Sequence, residues 1–438
     1  MNENINYKNK LISRLESKQA RIGVIGLGYV GLPLAILFAK KGFQIFGFDI
    51  NKFKINRIKN RKTYIERISS KDVKLLSGQN KCFTNFNQIK NCDVVIICVP
   101  TPLVGLNKPD LSFIKKTIAS ISKQLKFGQA IILESTSYPG TTQEEIINKL
   151  DKKFIVGQNL FVGFSSERIN PGVNENMLST IPKVISGKTN NCLDVVSKIY
   201  SGIFKKVVKA KSLEIAEFSK LLENIYRAVN IGFINEMKFV ADKMKIDIFE
   251  ILKIAETKPY GFRRFNPGPG IGGHCIPIDP HYLFWKANKV GISANFIKLA
   301  AETNSNVIKF IMTKILRIIK EVKINKVKAK VLILGLAYKK NVDDTRGSAS
   351  LKLIRTLQKK NIKNLTYCDP HTKKFLLPDD IKKIRKLSRL TKKSIKNFDI
   401  VVLMTDHDKF KYKDILIASK KIVDCRGRFQ TSQKVYRA

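Results

Sequence analysis

The stretch Asn266-Pro-Gly-Pro-Gly-Ile-Gly-Gly-His-Cys-Ile-Pro-Ile-Asp-Pro280 holds the residues best suited to chemistry in this 438-residue chain. Four glycines precede His274 and Cys275, so the backbone can approach a ligand closely. A cysteine in a Gly/Pro loop beside a histidine is accessible, and a nearby cation lowers its pKa and makes it a thiolate nucleophile. Asp279 lies four residues beyond Cys275. The other cysteines, at 82, 92, 98, 192, 368 and 425, read differently: several sit inside apolar strand-like runs and suit packing. The odd count and the lack of CxxC spacing fit free thiols in a reducing compartment, with no metal expected.

A second chemical signature is Val24-Ile25-Gly26-Leu27-Gly28-Tyr29-Val30-Gly31, which follows an apolar strand and opens an apolar helix. Gly26 allows a tight turn, Gly28 lets the backbone reach a pyrophosphate, and Gly31 lets helix and strand pack closely. The helix N-terminus, reached through Tyr29 and Val30, favours the anion. Asp49 ends the next strand, eighteen residues after Gly31. Its carboxylate would accept hydrogen bonds from ribose hydroxyls and repel a 2′-phosphate, which predicts NAD over NADP, with Lys52 weakening that preference slightly. Thr101, after the fourth strand, and Thr136, after the fifth, complete a site at strand carboxyl ends.

The elements that position these residues follow from apolar spacing. A polar lead-in over 1–20 reads as one helix. Short apolar runs at Ile22–Ile25, Gln44–Phe48, Val94–Val99, Ile131–Glu134 and Leu160–Phe164 alternate with amphipathic stretches, which predicts a parallel sheet covered on both faces. From Leu213 a Pro-free segment of about thirty residues has three- and four-residue apolar spacing, a long helix. The Gly/Pro-rich loop follows over 258–280, then helix over roughly 292–322. The strand–helix rhythm returns at Val331. The expected fold class is α/β, with two doubly wound Rossmann-like domains joined by a central long-helix domain. The expected bounds are 1–205, 206–322 and 323–438. Lys220 and Asn224, four residues apart, share one face of the long helix.

The formal net charge is +46, yet the lysines are spread over nearly every segment without a block of like charge. That argues against a nucleic-acid partner. Lys, Ile and Asn rise together in A/T-rich coding, and the resulting positive field favours encounter with anionic dinucleotides. No apolar run of about eighteen residues predicts a membrane span, and the N-terminus shows no signal-peptide core. The expectation is a soluble, cytoplasmic protein.

Six separated motifs give the chain its resemblance: GLGYVGLPLA at the first strand, ESTSYPGTT at 134–142, SSERINPG at 165–172, KLLENIYRAVNIGFINEM at 220–237, GPGIGGHCIPIDP at 268–280 and GLAYKKNVDDTRGSAS at 335–350. From about residue 20 onward the chain resembles the UDP-glucose/GDP-mannose dehydrogenase family. Gly-Gly-His-Cys with the following Pro-Ile-Asp, together with SSERINPG, resembles the branch that oxidises UDP-N-acetylhexosamines. UDP-glucose and GDP-mannose enzymes more usually carry Ser before the Cys and Lys before the Asp.

The resemblance implies oxidation of a C6 alcohol to a carboxylate in two NAD-dependent steps, for surface polysaccharide (capsule or O-antigen) synthesis. UDP-N-acetylglucosamine is the expected substrate; UDP-N-acetylmannosamine, UDP-glucose and GDP-mannose are the alternatives. It implies Cys275 as nucleophile, with Lys220 and Asp279 around the reacting oxygen and Lys220 and Asn224 as oxyanion donors. Glu167 and Asp279 are candidates to activate water, which Thr136 would help position. Glu167, Arg168, Lys220, Asn224, Gly272, Lys339 and Arg426 are implied at the UDP-sugar. Arg263 or Arg264 would reach the partner subunit of a homodimer built on the long helix. His274 is expected to shape the loop or contact the acetamido group, and the Asp343–Arg346 turn to be structural. A 3-hydroxyacid-type dehydrogenase shares the Rossmann-plus-helix layout, but would lack the cysteine loop and the second α/β domain.

Overall fold

The computed structural model describes residues 6–65, 68–78, 81–105, 107–168 and 179–438. The chain divides into two compact units, Met1–Glu223 with Trp285–Gly291, and Asn224–Phe284 with Ile292–Ala438.

The first unit is built on strands β1 (Arg21–Ile25), β2 (Gln44–Phe48), β3 (Cys82–Phe83), β4 (Val94–Ile97), β7 (Gln129–Leu133), β8 (Leu160–Phe164), β9 (Lys183–Gly187) and β10 (Val207–Lys209). A small hairpin, β5 (Leu103–Val104) with β6 (Lys108–Pro109), stands apart. The sheet order is β10-β9-β8-β7-β4-β1-β2-β3. The order reverses between β1 and β4, the switch point at which doubly wound sheets bind ligands. The continuous apolar runs of β4, β7 and β8 are buried throughout, as strands covered on both faces must be. The lead-in forms the helix Tyr7–Glu16, which buries Leu11 and Leu15.

One expectation is corrected. The sheet is not wholly parallel: β9 pairs antiparallel with β8, through Gly163–Gly187 and Phe164–Ser186, and then parallel with β10. A parallel return needs a crossover, usually a helix. The joining sequence SSERINPGVNENMLSTIP lacks the apolar spacing of such a helix.

The second unit carries β11 (Val331–Leu334), β12 (Leu365–Cys368), β13 (Arg385–Lys386), β14 (Ile400–Leu403), β15 (Lys421–Asp424) and β16 (Val435–Arg437), all parallel, in the order β13-β12-β11-β14-β15-β16. Both sheets use one device at the first turn. After β1, Gly26 takes φ +90° and the Leu27 N–H donates to the Asp49 carboxylate beyond β2. After β11, Gly335 takes φ +84° and the N–H groups of Leu336 and Ala337 donate to Asp369 beyond β12.

The long helix spans Leu213–Lys243, 31 residues, and a second runs Asn295–Glu321. The long helix departs from the usual pattern. Its buried positions mix polar residues, Glu217, Lys220, Asn224, Asn235 and Lys238, with apolar ones such as Leu221, Ile225, Ala228 and Ile234, while Ile215, Phe218, Leu222, Tyr226, Phe233 and Val240 are exposed. The Gly/Pro loop ends slightly earlier than its composition predicts. Asp279 opens the helix Asp279–Lys289 with Pro280 in its first turn, where a missing N–H costs nothing.

Candidate active site

At the β1 turn the three glycines divide their roles. A Cβ on Gly26 would meet the Cys98 carbonyl oxygen at 2.6 Å, and one on Gly31 the Gly26 carbonyl oxygen at 2.0 Å. Nothing lies within 4 Å of a Cβ on Gly28. Two glycines are thus needed for packing, and the middle one faces open space, as a pyrophosphate cradle requires. The helix Gly31–Lys40 starts at Val30 without a side-chain cap, and half-buried Tyr29 packs against the core of this unit. Asp49 is buried and receives Leu27 N–H at 2.9 Å and Asn51 N–H at 2.9 Å. The lysine paired with it is Lys54, at 2.7 Å, rather than the Lys52 the sequence suggested. Thr101 Oγ1 donates to the Thr136 carbonyl at 2.7 Å, tying the ends of β4 and β7 together.

Behind these strand ends lies a polar cluster that the motif reading did not assign. Glu134, which follows β7, receives Lys183 Nζ at 2.8 Å on one oxygen and Tyr200 O–H at 2.5 Å on the other. Glu167 follows β8, and its carbonyl accepts from Lys220 Nζ. Arg168 is held by Glu223 at 2.7 Å and by the Pro182 carbonyl at 2.8 Å. Residues Ile169–Gly172 of the SSERINPG motif lie outside the described residues.

Glu217, also unassigned from sequence, holds the turn that follows Thr136. It accepts from Gly140 N–H at 2.6 Å, Thr142 N–H at 2.9 Å and Thr142 Oγ1 at 2.7 Å. Burial pushes its carboxyl up to about 7, against the pull of those three donors. Glu217→Ala strands three donors in a buried place, so the expected loss of stability is about 3 kcal/mol. A urea melt with an unchanged midpoint would rule out this capping role.

In the second unit, the cysteine loop and the long helix meet. Among the described residues Cys275 is the one exposed cysteine. Burial pushes Cys82, Cys92 and Cys425 up to about 12, and Cys368 up to about 11. The Cys275 carbonyl accepts the Asp279 N–H at 2.8 Å, so the two residues are one turn apart where that helix begins. Asn224 donates its amide to Asp279 Oδ2 and accepts from Arg227. Arg227 was invisible as a site residue until the fold placed it there, although its position three residues after Asn224 keeps it on the same helix face. Its charge, after burial, also lowers the ammonium of half-buried Lys339.

The loop rests on the segment after β11. A Cβ on Gly272 would meet the Tyr338 Cβ at 2.6 Å; Gly273, at φ +91°, lies against the Tyr338 ring and donates its N–H to the Arg346 carbonyl at 3.0 Å. Arg346 pairs with Asp344 at 2.7 Å, so the charged turn holds the loop. Burial first, and Arg346 second, lower the His274 pKa and keep the ring neutral near pH 7. Arg264 is engaged by Glu256 at 2.6 Å and Asn266 at 2.9 Å, while Arg263 is exposed. Arg426 donates to the Met404 carbonyl, and its guanidinium lies 3.2 Å from where a Gly268 Cβ would be.

Three domain matches decide the family: its NAD-binding domain over residues 20–204, its central domain over 214–306 and its UDP-binding domain over 332–431. The chain belongs to the UDP-glucose/GDP-mannose dehydrogenase family. It is an NAD-dependent oxidoreductase acting on a UDP-sugar. It is similar to Protein CapL of Staphylococcus aureus, with 37% identity over 88% of this chain and 89% of that protein. It is also similar to a UDP-N-acetyl-D-glucosamine 6-dehydrogenase of Pseudomonas aeruginosa, with 36% identity over 79% of this chain and 82% of that protein. A solved UDP-D-ManNAc dehydrogenase from Pyrococcus horikoshii superimposes with a TM-score of 0.84 at 29% identity, covering 95% of this chain and 98% of that one. No helix among the described residues is long and apolar enough to cross a membrane. The residues at the β1 turn suit the dinucleotide that the family uses.

The dehydrogenase's loop has one more support. Lys238, buried on the long helix, donates to the Gly268 carbonyl at 3.0 Å, and Asn235 accepts the Gly268 N–H at 3.1 Å. Burial lowers the Lys238 ammonium to about 8. Between pH 8 and 10.5 the unfolded chain still holds a proton that the folded chain has released, so stability rises with pH across that window, by about 3 kcal/mol from this group. Lys238→Met should flatten the rise; equal slopes for both proteins in urea melts at pH 8 and pH 10 would contradict the assignment.

Proposed function

We propose that this enzyme oxidises the C6 alcohol of a UDP-N-acetylhexosamine, UDP-N-acetylglucosamine foremost, to the uronic acid for surface polysaccharide synthesis. The observation that carries the reading is the exposed Cys275 held one turn from Asp279, with the Asn224 amide already on that carboxylate. The Gly-Gly-His-Cys loop and the similarity to enzymes named for N-acetylglucosamine and N-acetylmannosamine support the acetamido-sugar class.

In this reading a base accepts the C6 hydroxyl proton, with Lys220 and Asp279 around that oxygen. When bound, NAD supplies the hydride acceptor in both oxidations. The Cys275 thiolate adds to the aldehyde carbon to give a thiohemiacetal, and Lys220 and Asn224 stabilise its oxyanion. The second oxidation leaves a thioester. Water, activated by Glu167 or Asp279 and positioned by Thr136, releases the carboxylate and regenerates the thiol. Arg168, Gly272, Lys339 and Arg426 hold the nucleotide sugar. Residues 1–205 bind NAD, 206–322 carry the cysteine loop and 323–438 bind the UDP-sugar.

A homodimer completes the proposal. The exposed apolar stripe Ile215, Phe218, Leu222, Tyr226, Phe233 and Val240 suits a second copy of the helix. Because Arg264 is engaged within its own chain, Arg263 is the arginine that reaches the partner.

The test is NADH formed per substrate consumed, with UDP-N-acetylglucosamine, UDP-N-acetylmannosamine, UDP-glucose and GDP-mannose compared side by side. Two NADH per UDP-N-acetylglucosamine, with little from the others, supports the whole reading. Two NADH from UDP-glucose or GDP-mannose keeps the chemistry and overturns the loop-based specificity.

A further inference from the structure

The buried cluster behind Glu167 serves no step in the reaction as described, yet its members are costly to bury. Lys183 and Glu134 are each about 2% exposed. A buried ion pair returns little more than the desolvation it costs, so stability alone does not account for one here. Its location has a structural cause. The antiparallel register Gly163–Gly187 and Phe164–Ser186, continued by three residues, sets Lys183 opposite Glu167. The reversal of β9 thus delivers a lysine to the carboxyl ends of β7 and β8.

The Lys183 ammonium has three oxygens around it: Glu134 Oε2 at 2.8 Å, the Ser166 carbonyl at 3.2 Å and Glu167 Oε2 at 3.9 Å. The rings of Tyr200 and Phe204 cover its other side, at 5.2 and 5.3 Å. Tyr200 also fixes the second Glu134 oxygen, and the Glu134 N–H is bound to the Ile97 carbonyl of β4 at 2.9 Å. The cluster is therefore braced by four elements. Lys220 reaches Glu167 separately, from the long helix, through the carbonyl.

We propose that Lys183 is a positioning residue for the reaction: braced by Glu134 and Tyr200, it holds the Ser166–Glu167 main chain and orients the Glu167 carboxylate toward the water it activates. The inference rests on the proposed role of Glu167. Lys183 touches neither substrate nor cofactor in this scheme, so its effect on turnover must pass through Glu167.

A double-mutant cycle on the full-length enzyme tests it. Expected results are a tenfold or larger fall in kcat for Lys183→Met with KM for the UDP-sugar changed less than threefold. In a Glu167→Gln background, Lys183→Met should lower kcat by less than twofold further, because the residue through which it acts is already gone. Equal falls in both backgrounds would overturn the proposal and leave a packing role. Full activity of Glu167→Gln alone would instead remove the role of Glu167, which is a separate failure. Where Lys183→Met does not fold, Glu134→Gln, which keeps the side-chain shape while removing the bracing charge, enters the same cycle with the same criteria.

Discussion

Cys275→Ser should make no net uronic acid. A serine hydroxyl at that position remains protonated near neutral pH and is a far weaker nucleophile than a thiolate, so the covalent adduct that the second oxidation needs does not accumulate. The expected fall in acid formation is about 10³-fold or more, since loss of a nucleophile is among the largest single-residue effects in catalysis. The first oxidation does not require the thiol. Incubation at high enzyme concentration should therefore give at most one NADH per substrate, with aldehyde recoverable by a carbonyl trap. Two NADH per substrate at a rate near that of the parent enzyme would end the covalent mechanism. The variant should fold normally, because residue 275 is exposed and the carbonyl that accepts the Asp279 N–H belongs to the backbone.

Much of this site was legible before any coordinates. The β1 glycines, Asp49 and the loop around Cys275 announce themselves by local spacing, because a turn and a loop are short-range objects; Lys220 and Asn224, whose spacing alone suits a solvated stripe, were singled out by the family resemblance. What escaped was long-range. Glu134 and Lys183 are 49 residues apart in sequence and meet because β9 runs backwards. The reversal had no local signal except a missing helical rhythm between Phe164 and Lys183. Glu217 and Lys238 looked like ordinary polar positions on a long helix, and such positions are usually solvated. They are buried because this helix carries polar residues among the apolar ones on its inward side, which periodicity alone does not single out. Strand ends shifted slightly for a simpler reason: Cys98 and Val99 continue the apolar run after β4, but the ladder stops at Ile97.

Lys220→Ala is the second change with a large expected effect. Its ammonium is mostly buried and rests on the Glu167 carbonyl, a neutral acceptor that an incoming oxyanion can outcompete. Loss of one preorganised donor to a developing oxyanion typically costs about 10²–10³ in kcat. Lys220→Arg should not restore the rate, because a planar guanidinium cannot replace a compact ammonium in a buried site. Steady-state rates of all three proteins, each checked for an unchanged melting temperature, decide it. A Lys220→Ala enzyme within threefold of the parent kcat would take Lys220 out of the catalytic machinery.

The contrast among the seven thiols also sets how the enzyme meets oxidants and electrophiles. Alkylation and peroxide oxidation both proceed through thiolate and need access, and burial denies both to Cys82, Cys92, Cys368 and Cys425. A mild alkylating agent should consequently add one equivalent of mass per folded chain, at Cys275, and activity should vanish in step with that single adduct. Bound nucleotide sugar would slow the labelling. On the proposed mechanism, the same accessibility that admits an aldehyde to the thiol leaves the enzyme vulnerable at one atom, so in an oxidising burst its activity would stop before the protein itself unfolds.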